Sequence, residues 1–581
     1  MDPSKPLIVQ SDRTVLLEAQ SPRYAEARDA ISPFAELEKS PEHVHTYRLT
    51  ALSVWNAAAT GLGGDAMLGA LERYSKYPIP GNVREEIERW VARYGRIQLV
   101  AEPAEHYGGA ETPDSGTSDA GRLGNAQRRM ALVSDDAAVL AEVATSALLR
   151  PYLLGEPVDG RLPVDPAYRG HVKQALIKLG YPVEDLAGYV KGGALNVALA
   201  KGLNGHDGTH LRSYQEESVA AFWQGGTVRG GSGVIVLPCG AGKTVVGMGV
   251  MARCQTKTLI LTTNTIAVRQ WRDELLDKTD LTPDDVGEYT GDSKEVKPVT
   301  IATYQILTYR RSKTEPFVHF DLFQRNDWGL IVYDEVHLLP APVFRVTAEI
   351  QATRRLGLTA TLVREDGKEQ DVFTLIGPKR FDVPWKVLEA QGWIATAECH
   401  EIRVPLPEEM RMEYAVANGR TKFRLASESH AKIGVVKRLV KRHADDQVLV
   451  IGQYIGQLET LARVLDAPLI MGRTPTRERQ ELYDKFRTGE LKLLLVSKVG
   501  NFAIDLPDAN VLIQVSGTYG SRQEEAQRLG RILRPKQGGE TATFYSVVTR
   551  DSRDQDFSAN RQLFLTEQGY SYRIVDSNEL D

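Results

Sequence analysis

At 581 residues, with 42% hydrophobic and 25% charged side chains, the chain has the composition of an ordinary globular protein with room for about four domains of roughly 150 residues. No apolar run approaches the roughly 18 residues of a bilayer span, and the opening MDPSKPLIVQSD lacks the basic and apolar regions of a signal peptide. The net charge is −5, yet residues 401–550 alone carry +6, which leaves room for a phosphate-binding face on an otherwise acidic chain. Three cysteines, Cys239, Cys254 and Cys399, lack metal-ligand spacing, so a reducing, cytoplasmic setting without disulfides or zinc is expected.

In chain order, PLIVQ and TVLLEA read as short strands, and two helical segments surround Trp55 and Leu71. NVREEIERWVARYG then places Val83, Ile87, Trp90, Val91 and Tyr94 on one helix face. Asn82 is the expected N-cap, Gly95 the stop, and RIQLV the strand that follows. Helices followed by a strand are compatible with a winged-helix-like unit over residues 1–101. Residues 102–127 are rich in Gly, Ser, Thr, Asp and Glu, the composition of a flexible linker. A smaller mixed segment over 128–205 offers the strand MALVS and the helices DDAAVLAEVATSALL and HVKQALIKLG.

From about residue 206 the pattern changes. GVIVLP, TLILTT, PVTIATY, LIVYDE and RLGLTAT form one series of apolar strands, and QVLVIGQY, LKLLLVSK, NVLIQVS and ATFYSVV form another. Continuous β-branched runs separated by helical stretches belong to parallel sheets covered on both faces. The expected fold class is α/β: two tandem doubly wound parallel-sheet domains, 206–385 and 386–581, preceded by smaller mixed α/β units.

Between a strand and a helix in the first series stands LPCGAGKT. Leu237 occupies the place of the first glycine in the strict phosphate-loop pattern, so the match is incomplete. The segment Pro238, Cys239, Gly240, Ala241, Gly242, Lys243, Thr244 nevertheless sits where backbone N–H groups and a helix N-terminus converge on phosphate oxygens. Lys243 would hold the β- and γ-phosphates of ATP and Thr244 would ligate Mg²⁺. Some ninety residues on, the strand LIVYDEVH ends in Asp334 and Glu335: the first can reach Mg²⁺, the second can orient and deprotonate a water. In the second series, RQEEAQRLGRILRPK spaces Gln527, Arg531 and Arg534 at i, i+4 and i+7 around Gly530. Guanidinium groups on one helix face can stabilise charge on a transferring phosphoryl group, which would put ATP in a cleft between the two domains.

A phosphate loop of the form PxGxGKT, an Asp-Glu-x-His box ending at His337, and Thr359-Ala360-Thr361, in this order, resemble the superfamily 2 helicases. The resemblance implies two RecA-like motor domains using ATP and Mg²⁺, with His337 and Thr359-Ala360-Thr361 coupling hydrolysis to movement. It makes LRSYQEESV the adenine-side motif, with Gln215 reading the base and Arg212 nearby. It places Thr263, Arg269, Gln270, Thr303 and Tyr304 against a nucleic-acid strand, together with Ser497 and Lys498 in VSKVGNFAIDLPDANVLIQ. Asp505 would face the nucleotide ribose or couple to the motif of Gln527, Arg531 and Arg534, and Ala503 stands where many relatives have glycine.

The match narrows to the XPB-type DNA helicases. Arg364, Glu365 and Asp366 match that family's RED motif, linked to strand separation, and NRQLFLTEQGYSYRIV resembles its C-terminus. Residues 128–205 occupy the place of a damage-recognition-like domain. Only about twenty residues, 411–430, are available for the family's helical thumb. The resemblance implies a 3′-to-5′ DNA helicase or translocase of the prokaryotic form, working in DNA repair in the cytoplasm, with a nuclease as possible partner. A DNA-binding scaffold that recruits a nuclease, with ATP as a switch only, and an RNA-directed motor are the competing readings.

Overall fold

The computed structural model describes residues 2–39, 43–59, 61–102, 129–165, 168–186, 192–200, 211–227, 230–312, 318–319, 327–338, 354–360, 372, 376–497, 509–517, 525, 528–530, 532 and 541–580. Thr361, Arg364, Glu365, Asp366, Lys498, Asp505, Gln527, Arg531 and Arg534 lie outside these residues, as does the linker after 102.

The two apolar series form two parallel sheets, seven strands each among the described residues. The first runs, edge to edge, Val286–Tyr289, Val299–Thr303, Thr258–Thr262, Leu330–Asp334, Arg354–Thr359, Ser232–Val236, Lys379–Asp382. The second runs Leu469–Ile470, Leu493–Ser497, Val448–Gly452, Val511–Gln514, Ala542–Thr549, Ala397–Val404, Tyr572–Asp576. Every residue of Thr258–Thr262 and of Val448–Gly452 is buried, as helices on both sheet faces require. Each Val, Leu or Ile so covered contributes about 1.5–3 kcal/mol. One apolar cluster passes from the first sheet to the second through Trp385, Leu388 and Ile394 of the connecting segment.

Ahead of these two sheets, the strands Leu7–Val9, Thr14–Glu18, Val44–Arg48 and Glu36–Lys39 form an antiparallel sheet covered by helices Tyr24–Ile31, Ala51–Ala59, Gly64–Tyr74 and Gly81–Arg93. The helix holding Val83, Ile87 and Trp90 starts at Gly81 with Pro80 as its N-cap. Asn82 does not cap it; its side-chain amide donates to the Ser11 carbonyl at 2.7 Å. The strand read as RIQLV spans Gln98–Glu102 and pairs antiparallel with Arg129–Val133, so it belongs to the next sheet. Arg169 and Lys173 of helix Arg169–Lys178 close on Asp185 of that sheet. Burial raises the Asp185 pKa, but the two cations outweigh it and hold the carboxyl well below the usual range.

The segment 411–430 is a helical hairpin, Glu408–Val416 and Gly419–Ser427, with the Asn418 side chain capping the second helix at Thr421 N–H. Behind the second sheet's carboxyl edge, Lys432 donates to Asp554 at 2.6 Å and to the Val515 carbonyl at 3.0 Å, both charged groups being fully buried. The Asp554 carboxylate also accepts the Thr549 N–H at 3.1 Å, so neither charge is left bare in the interior.

Candidate functional site: a phosphate loop and acid pair at one sheet edge

Because the strands are parallel, their carboxyl ends share one edge, where open α/β sheets bind ligands. Ser232–Val236 leads there into the loop 237–242, and helix Lys243–Cys254 departs from it. Gly240 and Gly242 have φ of 81° and 75°, left-handed values that turn successive N–H groups toward one concavity. At Gly242 the space is closed as well: an added Cβ would stand 2.6 Å from Gln215 Nε2. Ala241 is buried and its carbonyl accepts from Tyr214 Oη at 2.7 Å and Gln215 Nε2 at 3.1 Å. Gln215 Oε1 in turn accepts the Arg212 N–H at 3.0 Å. The Arg212 guanidinium lies over the Trp393 ring, 5.0 Å from its centroid, and donates to Tyr214 Oη at 3.2 Å.

Leu330–Asp334 is the fourth strand of the same sheet and delivers Asp334 and Glu335 to that edge. The Asp334 carboxylate accepts Trp271 Nε1–H at 3.0 Å on Oδ2 and the Glu335 N–H at 3.1 Å on Oδ1. Burial, then the neighbouring Glu335 charge, push its pKa up to about 6, against the lowering effects of the Trp271 hydrogen bond and of Lys243. A raised carboxyl pKa means that the folded chain binds this proton more tightly than the unfolded chain does. Its stabilising contribution is full below the ordinary carboxylate range and is lost as pH rises through about 6.

Glu335 has φ of 51°, a left-handed conformation that costs a non-glycine residue on the order of 1 kcal/mol or more and that gathers at functional sites. It aims the carboxylate toward His337 Nδ1 at 3.3 Å, and the same ring nitrogen is 3.1 Å from Thr359 Oγ1. Glu335, His337 and Thr359 thus form a chain from the acid pair to the end of strand Arg354–Thr359. The Thr359 carbonyl accepts the Leu237 N–H at 3.0 Å, which returns the chain to the phosphate loop. Ala360 is buried beside it.

Residues expected against a strand divide. Arg269 is exposed, Thr263 is half-buried, and Gln270 donates to Glu274 Oε1 at 3.1 Å. Thr303 and Tyr304 both have buried side chains at the end of strand Val299–Thr303. Thr303 Oγ1 caps the Ile306 N–H, and Tyr304 Oη donates to the Asp334 carbonyl at 2.9 Å. Ser497, the last residue of strand Leu493–Ser497, is buried too. Tyr304 therefore ties the segment 303–307 to the acid pair. Tyr304→Phe is expected to keep basal ATP turnover within about twofold while lowering its stimulation by DNA several-fold, as steady-state assays with and without DNA will read.

Trp271 carried no site signal in the sequence, since an aromatic residue on an amphipathic helix reads as core. Replacing it with Phe removes the donor that lowers the Asp334 pKa. Trp271→Phe is expected to weaken Mg²⁺-dependent nucleotide binding about 10-fold, as outer-shell losses do. The acid limb of that binding should move to higher pH, because Asp334 must lose its proton before it can take a cation. Mg²⁺ titrations on either side of pH 6 check both.

Across the cleft, Gly530 packs directly on Cys239. An added Cβ at residue 530 would land inside the van der Waals radius of the Cys239 side chain. The 528–530 segment beside the second sheet therefore rests on the loop 237–242 of the first.

Three family models match the chain: ERCC3/RAD25/XPB C-terminal helicase over 388–580, Type III restriction enzyme, res subunit over 208–364, and Helicase conserved C-terminal domain over 7–115. A DNA 3′-5′ helicase XPB of Kineococcus radiotolerans is 55% identical over 99% of this chain and 97% of its own length. A Mycobacterium tuberculosis protein of the same name is 53% identical, with 99% and 98% covered. Among solved structures, S. cerevisiae Dbp5 bound to RNA and ADP BeF3 has a TM-score of 0.47 at 15% identity, covering 64% of this chain and 90% of that one.

Proposed function

The chain belongs to the XPB family of DNA helicases, and from that premise and the site's geometry we propose that it is an ATP-driven 3′-to-5′ DNA helicase or translocase of DNA repair. The observation that carries the reading is the meeting of phosphate loop, acid pair and Gly530 segment at one sheet edge.

In this reading, the N–H groups of the Gly240–Gly242 turn and the Lys243 ammonium bind the β- and γ-phosphates of ATP, and Gln215 reads the adenine edge. The oxygen donors Thr244 and Asp334 suit a hard divalent cation, and the half-buried Asp334 carboxyl is a site whose charge a cation would relieve. Bound there, Mg²⁺ would supply charge neutralisation at the phosphates. Glu335 takes a proton from the attacking water as the water oxygen bonds to the γ-phosphorus. The bond from that phosphorus to the β–γ bridging oxygen breaks, and ADP leaves with the electron pair. Arg531 and Arg534 stabilise the charge that develops on the transferring group. Each cycle opens and closes the contact between Cys239 and Gly530, and that motion moves the chain along DNA through contacts to its backbone.

The short hairpin of helices Glu408–Val416 and Gly419–Ser427 supports a further element of the proposal, a nuclease partner that completes work at the junction. The work is placed on DNA in the cytoplasm; among the described residues no helix is long and apolar enough to cross a membrane. The deciding experiment measures ATP turnover and strand displacement on 3′-tailed, 5′-tailed and forked DNA, with RNA as a parallel stimulator. Turnover that rises with DNA and displacement that needs a 3′ tail are expected. ATP turnover indifferent to DNA, or equal stimulation by RNA, would sink the reading.

A further inference from the structure

The helical segment that carries Gly530 has a second face. Glu525, Arg528, Leu529 and Ile532 recur at the three- and four-residue spacing of one helix face. Leu529 and Ile532 are fully buried, as a packing face should be. Glu525 and Arg528 are 0% and 1% exposed, and they meet Gln514 and Arg561, each 1% exposed. Gln514 ends strand Val511–Gln514, and Arg561 stands on helix Arg553–Glu567, some thirty residues beyond the segment.

The contacts close on Glu525. Its Oε2 accepts Gln514 Nε2 at 2.9 Å and faces Arg561 Nε at 3.6 Å, and its Oε1 accepts Tyr572 Oη at 3.4 Å. Arg528 Nη1 donates to the carbonyl oxygen of the same Gln514 side chain. The Arg561 guanidinium lies flat against Gly517, where a Cβ would collide with it. Strand, C-terminal helix and last strand thus converge on one carboxylate of the segment.

Apolar side chains of similar volume would fill this space with equal or greater stability. What charged and amide groups add is direction: each fixes the segment's roll and height to within a hydrogen-bond length. The segment's other side rests on Cys239, so an error in its seating is transmitted to the phosphate loop. Misplacement of about 1 Å in a reacting group costs on the order of 10²-fold in rate.

We infer that Arg561 and Glu525, with Gln514, form a buried brace that positions the segment around Gly530 for phosphoryl transfer, making the C-terminal helix part of the ATPase. This rests on the reading in which Arg531 and Arg534 act on the transferring phosphoryl group. The brace residues touch no substrate and are positioning residues.

The test uses the full chain with Arg561→Gln, Arg561→Lys, Glu525→Gln, Gly517→Ala and Arg531→Ala. Arg561→Gln, Glu525→Gln and Gly517→Ala should lower kcat about 10- to 100-fold, with KM for ATP and affinity for 3′-tailed DNA within about twofold of wild type. Gly517→Ala reaches the brace by pushing the guanidinium aside while keeping its charge. Arg561→Lys should recover part of kcat, and it decides the matter if Arg561→Gln fails to fold. A readout without turnover accompanies these: wild type should hold ADP more tightly when aluminium fluoride mimics the transferring group, and Arg561→Gln should not. Arg531→Ala inactive with folded brace variants at wild-type kcat overturns the brace alone. Arg531→Ala at wild-type kcat overturns the arginine role and the brace with it. Loss of kcat, DNA affinity and thermal stability in parallel, with Arg561→Lys no better than Arg561→Gln, overturns it as mere scaffold damage.

Discussion

Glu335→Gln is expected to bind ATP and to lower the DNA-stimulated kcat by about 10³-fold, within the range that loss of a general base produces. Gln has the same shape, so the left-handed backbone at residue 335 and the neighbourhood of His337 are kept while the proton acceptor is lost. The substitution also removes the negative charge that, after burial, contributes most to raising the Asp334 pKa. Asp334 should therefore release its proton at lower pH, so Mg²⁺-dependent ATP affinity should rise and its acid limb should move down. A dead enzyme with tighter binding is the signature. Fluorescent-nucleotide titrations around pH 6, set beside turnover assays, read both halves. Retained kcat would show that another group takes the proton.

Gly530→Ala is expected to lower kcat about 100-fold, or about 3 kcal/mol of transition-state stabilisation, with nucleotide affinity of the first motor domain preserved. The methyl group has nowhere to go, because its nearest neighbours are the β-carbon and sulfur of Cys239, and the next is the Cys239 α-carbon at 3.5 Å. The clash is across the cleft, so it penalises closure and spares each domain. That makes it reversible from the other side: Cys239→Gly removes both offending atoms and should restore at least 10-fold in the double variant. Additivity of the two losses, in place of rescue, would refute the contact as the cause.

Much of this site was legible in the sequence because its chemistry requires rare residue types at fixed spacings. Gly240 and Gly242 announce positive φ, and the Asp334–Glu335 pair at the end of an apolar run announces a sheet edge. Five strands of one parallel sheet and four of the other followed from continuous β-branched runs, and the edge strands did not. What was hidden depended on partners far away in the chain. Tyr304 looks like a surface polar group until the carbonyl at the neighbouring strand end takes up its hydroxyl. Trp271 shows only an apolar period, and its indole N–H finds Asp334 across 63 residues. Gln98–Glu102 reads as the last strand of the first unit because its partner, Arg129–Val133, lies beyond a polar stretch that periodicity cannot bridge. Glu525 and Arg528 merge with the basic run around them, and only the fold shows which face of that run is buried.

The seating of Gly530 on Cys239 also gives the cleft a chemical gauge. Cys254 and Cys399 are buried, and burial pushes both thiols up to about 12, so they are poor nucleophiles near neutral pH. Cys239 is half-buried, and what covers it on one side is a segment of the other motor domain. Its rate of alkylation should rise whenever that segment lifts away and fall when it returns. The native chain can therefore report its own opening and closing through the fraction of one thiol modified per unit time, with no dye attached and no residue changed.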